Sequence, residues 1–197
     1  MEPIILCHLG VGSNQNASKD TDKMDLLSEL SIEAVDAGFQ ILNSGKIRNA
    51  LLAVEETVKV LEKSGLTNSG IGAVRQADGI QRCDASIMDG TSLSCGAVAS
   101  LEGFKHPVAI ARKLLEFSEK FDVEINARKG NFYFNGSHIE QIFGIFNEVI
   151  PEDWYITSPN PRESLKQSGN TVGAVAINED GKLAAATSTG GTSDSLP

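Results

Sequence analysis

The segment 169–191, GNTVGAVAINEDGKLAAATSTGG, constrains the fold of this chain more than any other segment. Small and β-branched residues flank the turn signal Glu179-Asp180-Gly181, which predicts a tight antiparallel hairpin. A hairpin explains the apolar residues of both strands, but it does not explain the threonines at the two ends. Since the ends of paired strands meet, we expect the hydroxyls of Thr171 and Thr189 to lie close together.

The rest of the chain alternates predicted strands and helices, and its length of 197 residues favours one domain. A buried strand is predicted at 3–7, and a strand pair at 84–90 and 94–100. Helices are predicted from Thr21 up to the stop signal at Gly45, over 47–61, and from Pro107 onward. In the second helix one apolar stripe is expected to face inward, while the polar positions are expected to face water. Those polar positions are Glu55, Glu56, Lys59 and Lys63.

The stretch 118–170 differs in composition from the rest of the chain. It holds most of the aromatic residues, and Pro151, Pro159 and Pro161 interrupt it. We interpret it as a loosely structured connector whose last part, 157–170, is flexible and exposed.

Charge and hydropathy exclude several classes of partner. The chain has 17 basic and 26 acidic residues, a net charge of −9, and its basic residues are scattered, so no nucleic-acid partner is expected. No segment approaches the roughly 20 apolar residues of a membrane span. The N-terminus lacks the basic start of a signal peptide, because Glu2 follows Met1. A cytoplasmic protein is therefore expected.

The metal-binding residue types show no recognisable pattern. The three cysteines are predicted to be free thiols, and the three histidines lack metal-ligand spacing with them. These residues are Cys7, Cys83, Cys95, His8, His106 and His138. No metal site built from side chains is predicted.

Two other motifs are also set aside. Gly10-Val11-Gly12 follows a strand, but it lacks the third glycine and the adjoining helix of a dinucleotide fingerprint. Asp84 and Asp89 are five residues apart on one strand, so they are expected on opposite faces. This placement favours hydrogen-bond anchors at the strand ends over a joint acid and base.

The threonines of the hairpin indicate a specific chemistry. A threonine hydroxyl is a weak nucleophile unless a base adjoins it, and one available base is the residue's own α-amine. Such an amine titrates near roughly 7.7–8.0, so a useful share is neutral at physiological pH. Cleavage of the peptide bond before Thr171 would therefore create the nucleophile and its base together.

Five short segments carry a family resemblance: HLGVG at 8–12, NSGIG at 68–72, DASIMDG at 84–90, NTVGAVA at 170–176 and TSTGG at 187–191. Together they resemble the plant-type L-asparaginase and isoaspartyl peptidase family of N-terminal nucleophile hydrolases. The resemblance covers residues 1–117 and 169–197. It implies an α+β fold and a precursor that cleaves itself into α and β subunits. The subunits stay together in an αββα four-layer sandwich and form a dimer of αβ units.

Carried over by position, the resemblance implies scission between Asn170 and Thr171. Residues 1–170 are then the α-subunit region, with 118–170 leading to the cleavage point, and 171–197 begin the β-subunit region. Thr171 becomes the nucleophile and Thr189 the hydroxyl beside it. The implied supporting loops contain Asn68, Gly70, Gly10, Gly190 and Gly191. No cofactor is implied apart from a structural sodium ion, held by backbone oxygens just before Asn68.

The implied reaction is hydrolysis of the amide of L-asparagine, or of the isoaspartyl bond of a β-aspartyl dipeptide, through an acyl-threonine intermediate. The sequence does not rank these two substrates, and the chemistry alone does not distinguish this family from the related glycosylasparaginases.

The chain departs from the family pattern at three places. Leu9 replaces a glycine usual in the family, and Asn170 stands where glycine or aspartate is common.

The third departure is at the end of the chain. Residues 195–197 stand where relatives begin a Gly-Arg-x-Gly-Asp segment that holds the substrate, and a later Thr-Gly segment forms their oxyanion hole. We expect an N-terminal part of a precursor with an incomplete sandwich, nearly inactive alone. Its hairpin is expected to present unpaired strand edges and an uncovered apolar face. The alternative is an unprocessed, catalytically dead fragment that acts as a partner of a complete homologue.

Overall fold

The computed structural model describes residues 1–10, 21–44, 49–125, 132–135, 138–156 and 171–192. These residues form a mixed α+β fold, as the sequence predicts. The strands are β1 Ile4–His8, β2 Arg82–Asp89, β3 Cys95–Glu102, β4 Phe132–Asn135, β5 Val172–Ile177 and β6 Leu183–Thr189. The α-helices are α1 Thr21–Leu42, α2 Asn49–Lys63, α3 Pro107–Ile125 and α4 Ile139–Ile145.

The six strands form one sheet in the order β1-β5-β6-β2-β3-β4. Neighbouring strands are antiparallel except for β3 and β4, which are parallel. The β5–β6 hairpin lies inside the sheet, because β1 pairs with β5 and β2 pairs with β6. The prediction that the hairpin presents unpaired edges is therefore wrong: strands from the N-terminal part of the chain satisfy both of its edges.

The turn of the hairpin is held by a buried asparagine. The Asn178 Oδ1 accepts hydrogen bonds from the backbone N–H groups of Asp180 and Lys182, at 3.1 and 2.8 Å. Its Nδ2 donates to Asn49 Oδ1 at 2.7 Å, which ties the turn to the start of α2. Gly181 takes φ +77°, a value that favours glycine. The predicted hairpin is thus confirmed.

The helices cover one face of the sheet. Helix α2 lies over β5 and β6, and α3 lies over β2 and β3. The predicted apolar stripe of α2 is confirmed, since Leu51, Val54, Val58 and Leu61 are all buried. The opposite face of the sheet is open and largely apolar, as the sequence predicts. Large side chains exposed there are Leu6, Met88, Val175 and Leu183.

The predicted exposure of Glu55 is wrong. Glu55 is buried and forms an ion pair with Arg112 of α3. Burial raises the pKa of the Glu55 carboxyl to about 7, although the Arg112 charge acts in the opposite direction. The periodicity of α2 does not reveal this contact, because it depends on where α3 packs.

The expectation of loose structure over 118–170 is also wrong for the residues that are described there. Helix α3 continues to Ile125, β4 adds to the sheet beside β3, and α4 packs back on α3. The Phe117 ring stacks on Phe146 at 4.2 Å and meets Phe143 edge-on at 5.2 Å, measured between ring centroids. Aromatic packing therefore orders this region. The segment 157–170, predicted to be flexible and exposed, lies outside the described residues.

Two further observations concern the broad class of protein. In the described part of the chain, none of the helices has the length and apolar character needed to cross a bilayer. The three cysteines are free, as predicted, with Cys83 buried and Cys7 and Cys95 half-buried.

Candidate active site

The two predicted threonines lie at the same end of adjacent strands. Strands β5 and β6 pair Val172 with Ser188 and Gly173 with Thr187. Continuing this register by one residue places Thr171 opposite Thr189. Thr171 is exposed and Thr189 is half-buried. The Thr187 hydroxyl donates to the Val172 carbonyl at 3.0 Å, so a third threonine fixes the first residue of β5.

Asn68 holds the residues that follow Thr189. The Asn68 carbonyl accepts a hydrogen bond from the Gly190 N–H at 2.8 Å, and its Nδ2 donates to the Gly191 carbonyl at 2.8 Å. Its Oδ1 accepts from the Val74 N–H at 2.8 Å. Asn68 is buried, so these bonds are shielded from water. The structure thus brings together Asn68, Gly190 and Gly191, all predicted as supporting residues.

Gly190 is required by this close packing. A Cβ atom at position 190 would lie 2.7 Å from Asn68 Oδ1 and 2.6 Å from the Ala73 Cβ. The next residue, Gly191, takes φ +71°, and its N–H donates to the Thr189 Oγ1 at 3.1 Å. The Thr189 oxygen is therefore held by the backbone turn, and its own hydrogen remains able to donate.

Gly70 lies in the same loop as Asn68 and is held there by close contacts. It takes φ +54°, and a Cβ there would lie 2.4 Å from the Lys105 carbonyl oxygen and 2.6 Å from the Glu62 carbonyl oxygen. The Gln81 Nε2 donates to the Gly70 carbonyl at 2.6 Å. These contacts fix the loop that carries Asn68.

The predicted Gly10 lies just after β1 with φ +117°. Strand β1 brings a histidine, not a glycine, next to the hairpin, since His8 pairs with Gly173. A Cβ at Gly173 would lie 2.6 Å from His8 Nε2. His8 lines an open depression on the uncovered face of the sheet, together with Ser86 and Thr187. The sequence pattern indicates the segment that contains His8, but it does not predict that the His8 side chain contacts β5.

The two aspartates of β2 act as hydrogen-bond anchors, in agreement with the sequence analysis. The Asp84 Oδ1 accepts from the Ser100 N–H at 2.8 Å, and the Asp89 Oδ1 accepts from the Thr91 N–H at 2.9 Å. Asp84 is exposed and Asp89 is buried, as expected for opposite faces. No cluster of three or more His, Cys, Asp or Glu side chains suited to a metal ion occurs among the residues described.

Comparison with known proteins identifies the family. A family model described as asparaginase matches residues 1–125 and 146–197. The chain belongs to the asparaginase family. Both halves of the candidate site lie within the matched residues, including the Asn68 loop and the β5–β6 hairpin.

The relatives of this asparaginase-family chain carry two kinds of name. It is 34% identical over 205 residues to the isoaspartyl peptidase of Salmonella typhimurium, covering 98% of this chain and 64% of that protein. It is 35% identical to the isoaspartyl peptidase of Escherichia coli, covering 98% and 63%. It is 33% identical to the plant-type L-asparaginase of Pyrococcus horikoshii, covering 95% and 63%. The chain therefore spans less than two thirds of the length of these relatives.

Proposed function

We propose that this chain carries the threonine nucleophile of an amidohydrolase that acts on L-asparagine, on isoaspartyl dipeptides, or on both. The observation that carries this proposal is the register of the hairpin, which sets Thr171 opposite Thr189 while Asn68 holds the residues after Thr189. The names of the relatives supply the two substrate classes.

In the proposed maturation, the Thr171 hydroxyl oxygen attacks the carbonyl carbon of Asn170. The carbon–nitrogen bond between the two residues breaks, and the nitrogen takes the proton that the hydroxyl loses. The resulting ester is hydrolysed by water, which leaves a carboxylate on Asn170 and a free α-amine on Thr171. Asn170 lies outside the described residues, so the scission point and the division into regions 1–170 and 171–197 stay predictions.

In the proposed reaction, the α-amine of Thr171 takes the proton from its own hydroxyl, whose oxygen attacks the substrate amide carbon. The leaving nitrogen takes that proton and departs as ammonia or as the α-amine of the released amino acid. Water then cleaves the acyl-threonine ester and regenerates the hydroxyl. The Thr189 hydroxyl, held by the Gly191 N–H, is the group placed to orient the Thr171 oxygen or the substrate.

The first prediction tests the role of Thr171. Thr171→Ala should leave the chain whole, because it lacks the attacking oxygen, and Thr171→Ser should cleave slowly, because it keeps one. Intact-mass measurements during incubation follow the scission. Thr91→Ala, in the turn between β2 and β3, is the matched control and should cleave like the wild type. Cleavage of the Thr171→Ala protein at the wild-type rate would exclude Thr171 as the nucleophile.

The choice between substrates needs a separate assay of the matured protein. Release of ammonia from L-asparagine and release of free amino acid from an isoaspartyl dipeptide should both depend on Thr171. The ratio of the two kcat/KM values identifies the preferred substrate.

The open face of the sheet supports the four-layer sandwich as the complete fold. Leu6, on the edge strand β1, is 61% exposed, and Val175, on the neighbouring strand β5, is 50% exposed. Apolar surface of this kind is normally covered in a mature fold. We expect a second sheet and its helices to cover this face, and two such αβ units to form a dimer.

We propose that a structural sodium ion binds the loop before Asn68. Two backbone oxygens of this loop lie close to Gly72, since a Cβ there would be 2.2 Å from the Thr67 carbonyl oxygen and 3.0 Å from that of Gly65. Hard cations prefer oxygen ligands. When bound, sodium would offset the repulsion between these carbonyl dipoles and so steady the loop.

The same open face supports an alternative, in which the chain is an unprocessed, inactive partner of a complete homologue. Its exposed apolar residues would then pack against that homologue. A folded chain that stays intact and binds the homologue tightly would favour this alternative over the enzyme.

A further inference from the structure

A fully buried carboxyl group lies behind the candidate site, on the helix side of the sheet. Glu62, near the end of α2, is 0% exposed. Burial raises the pKa of its carboxyl, whereas His106 and Ser188 act to lower it. Burying a carboxyl costs free energy unless its oxygens are hydrogen-bonded or paired with a charge, so the groups around Glu62 must compensate for its burial.

The two oxygens of Glu62 have different surroundings. The Oε1 accepts a hydrogen bond from the Val108 N–H at 3.0 Å, at the start of α3. The Oε2 lies 3.6 Å from His106 Nδ1. Ser188 is buried on β6, on the side of the sheet that α2 covers. Oε2, His106 Nδ1 and Ser188 Oγ are buried, and within the described part of the chain none of them has a well-formed hydrogen bond.

This polar cluster, defined as Glu62, His106 and Ser188, lies directly behind the reactive end of the hairpin. Ser188 is 0% exposed and sits between Thr187 and Thr189 on β6. Because side chains alternate along a strand, Ser188 faces the helices while both threonines face the other way. Ser188 is also the residue that pairs with Val172, next to Thr171.

Glu62 contacts the Asn68 loop as well. A Cβ at Gly70 would lie 2.7 Å from the Glu62 Cβ and 2.6 Å from its carbonyl oxygen. Glu62 therefore adjoins β6, the start of α3 and the loop that holds Gly190 and Gly191.

We infer that Glu62 is a positioning residue which, through Ser188, fixes the end of β6 that carries Thr187 and Thr189. The inference rests on the proposed function, because that function gives these threonines their role. A bond from the Ser188 hydroxyl to the Glu62 carboxylate would set the rotation of β6 about its axis. With β6 fixed, Thr187 holds Val172, and the residue before it, Thr171, keeps its place opposite Thr189.

Three variants distinguish this positioning role from one in which Glu62 only caps the start of α3. E62Q keeps an oxygen to accept from the Val108 N–H but presents an NH₂ group to Ser188 and His106. S188A removes the hydroxyl and leaves the carboxyl. E55Q is the matched control, since Glu55 is also buried on α2 but pairs with Arg112 of α3.

Two measurements on the whole chain test the inference. Amide hydrogen exchange at residues 187–190 should be faster in E62Q and S188A than in the wild type or E55Q, by roughly tenfold. Scission before Thr171 should slow by a similar factor in each single variant. The double variant E62Q/S188A should be slower than the slower single variant by less than about twofold, because both changes remove one contact.

The possible results are distinct. If exchange and scission in E62Q change no more than in E55Q, Glu62 is only structural and the inference is overturned. If E62Q and S188A act independently, their effects multiply, which also overturns it. If the wild type is folded but never cleaved, the proposed function falls. Amide exchange at 187–190 then still tests the inference. Exchange that is faster in E62Q and S188A but not in E55Q supports it, and equal exchange in all these proteins overturns it.

Discussion

At the scale of single residues, the candidate site depends on backbone groups as much as on side chains. Asn68 uses its carbonyl, its Oδ1 and its Nδ2 to join the loop at 68–74 to Gly190 and Gly191. Thr189 is held in turn by the Gly191 N–H. The position of the Thr189 hydroxyl is therefore a consequence of how Asn68 is placed.

Asn68→Ala should reduce the free energy of unfolding by about 2–4 kcal/mol, because it leaves the Val74 N–H and the Gly191 carbonyl without these bonds. Scission before Thr171 should slow as well, since the Gly190–Gly191 turn loses its support. Denaturant unfolding measures the first effect. Asn43→Ala removes a bond at an exposed helix end and should change stability by less than about 0.5 kcal/mol. Equal effects of the two substitutions would contradict the assigned role.

At the scale of elements, the contact between α2 and α3 is pH-dependent. The folded pKa of Glu55 is raised to about 7 by burial, against a value of 4.5 for the free group. Between these values the folded chain binds more protons than the unfolded chain, so stability falls as pH rises. The Arg112 ion pair limits this loss without removing it.

The wild type should therefore lose up to about 3 kcal/mol of stability relative to E55Q between pH 4.5 and pH 7. The measurement is the free energy of unfolding of both proteins across this range. Other buried groups, including Glu62, titrate alike in the two proteins, so their contributions cancel in the difference. A constant difference across the range would show that Glu55 is not responsible.

Helices and strands could be predicted from the sequence where local spacing and turn residues alone determine them. The β5–β6 hairpin, the apolar stripe of α2 and the start of α3 at Pro107 follow from local spacing and turn residues. The burial of Glu55 does not follow from the helical pattern, because its partner Arg112 lies on another helix. The order of the described residues within 118–156 does not follow from local patterns, because the contacts of Phe117 with Phe143 and Phe146 join residues far apart in sequence.

At the scale of the whole molecule, the sheet is covered by helices on one face and open on the other. The sequence predicts the open face, the hairpin pattern predicts that Thr171 and Thr189 meet, and the family resemblance implies the Asn68 loop. The sequence does not predict that β1 and β2 enclose the hairpin, because strand order is set by packing. Nor does the sequence predict the Glu62, His106 and Ser188 cluster, whose members come from α2, from the residue before α3 and from β6.

The open face makes a prediction about solvent exposure. Leu6→Ser and Val175→Ser together should lower the fluorescence of a hydrophobic surface dye by roughly half, because they remove large exposed apolar groups from one patch. Phe39→Ser, on the exposed side of α1, is the control and should leave most of the signal. Unchanged dye binding in the sheet variants would show that the face is already covered in solution.

The central claim is that Thr171 becomes the first residue of a new chain. N-terminal sequencing of the purified, folded protein after incubation tests it most directly. We expect a second N-terminus that reads Thr-Val-Gly-Ala, in equal amount to the first and absent from Thr171→Ala. A folded wild-type protein with a single N-terminus, or with a second one at any other residue, would contradict it.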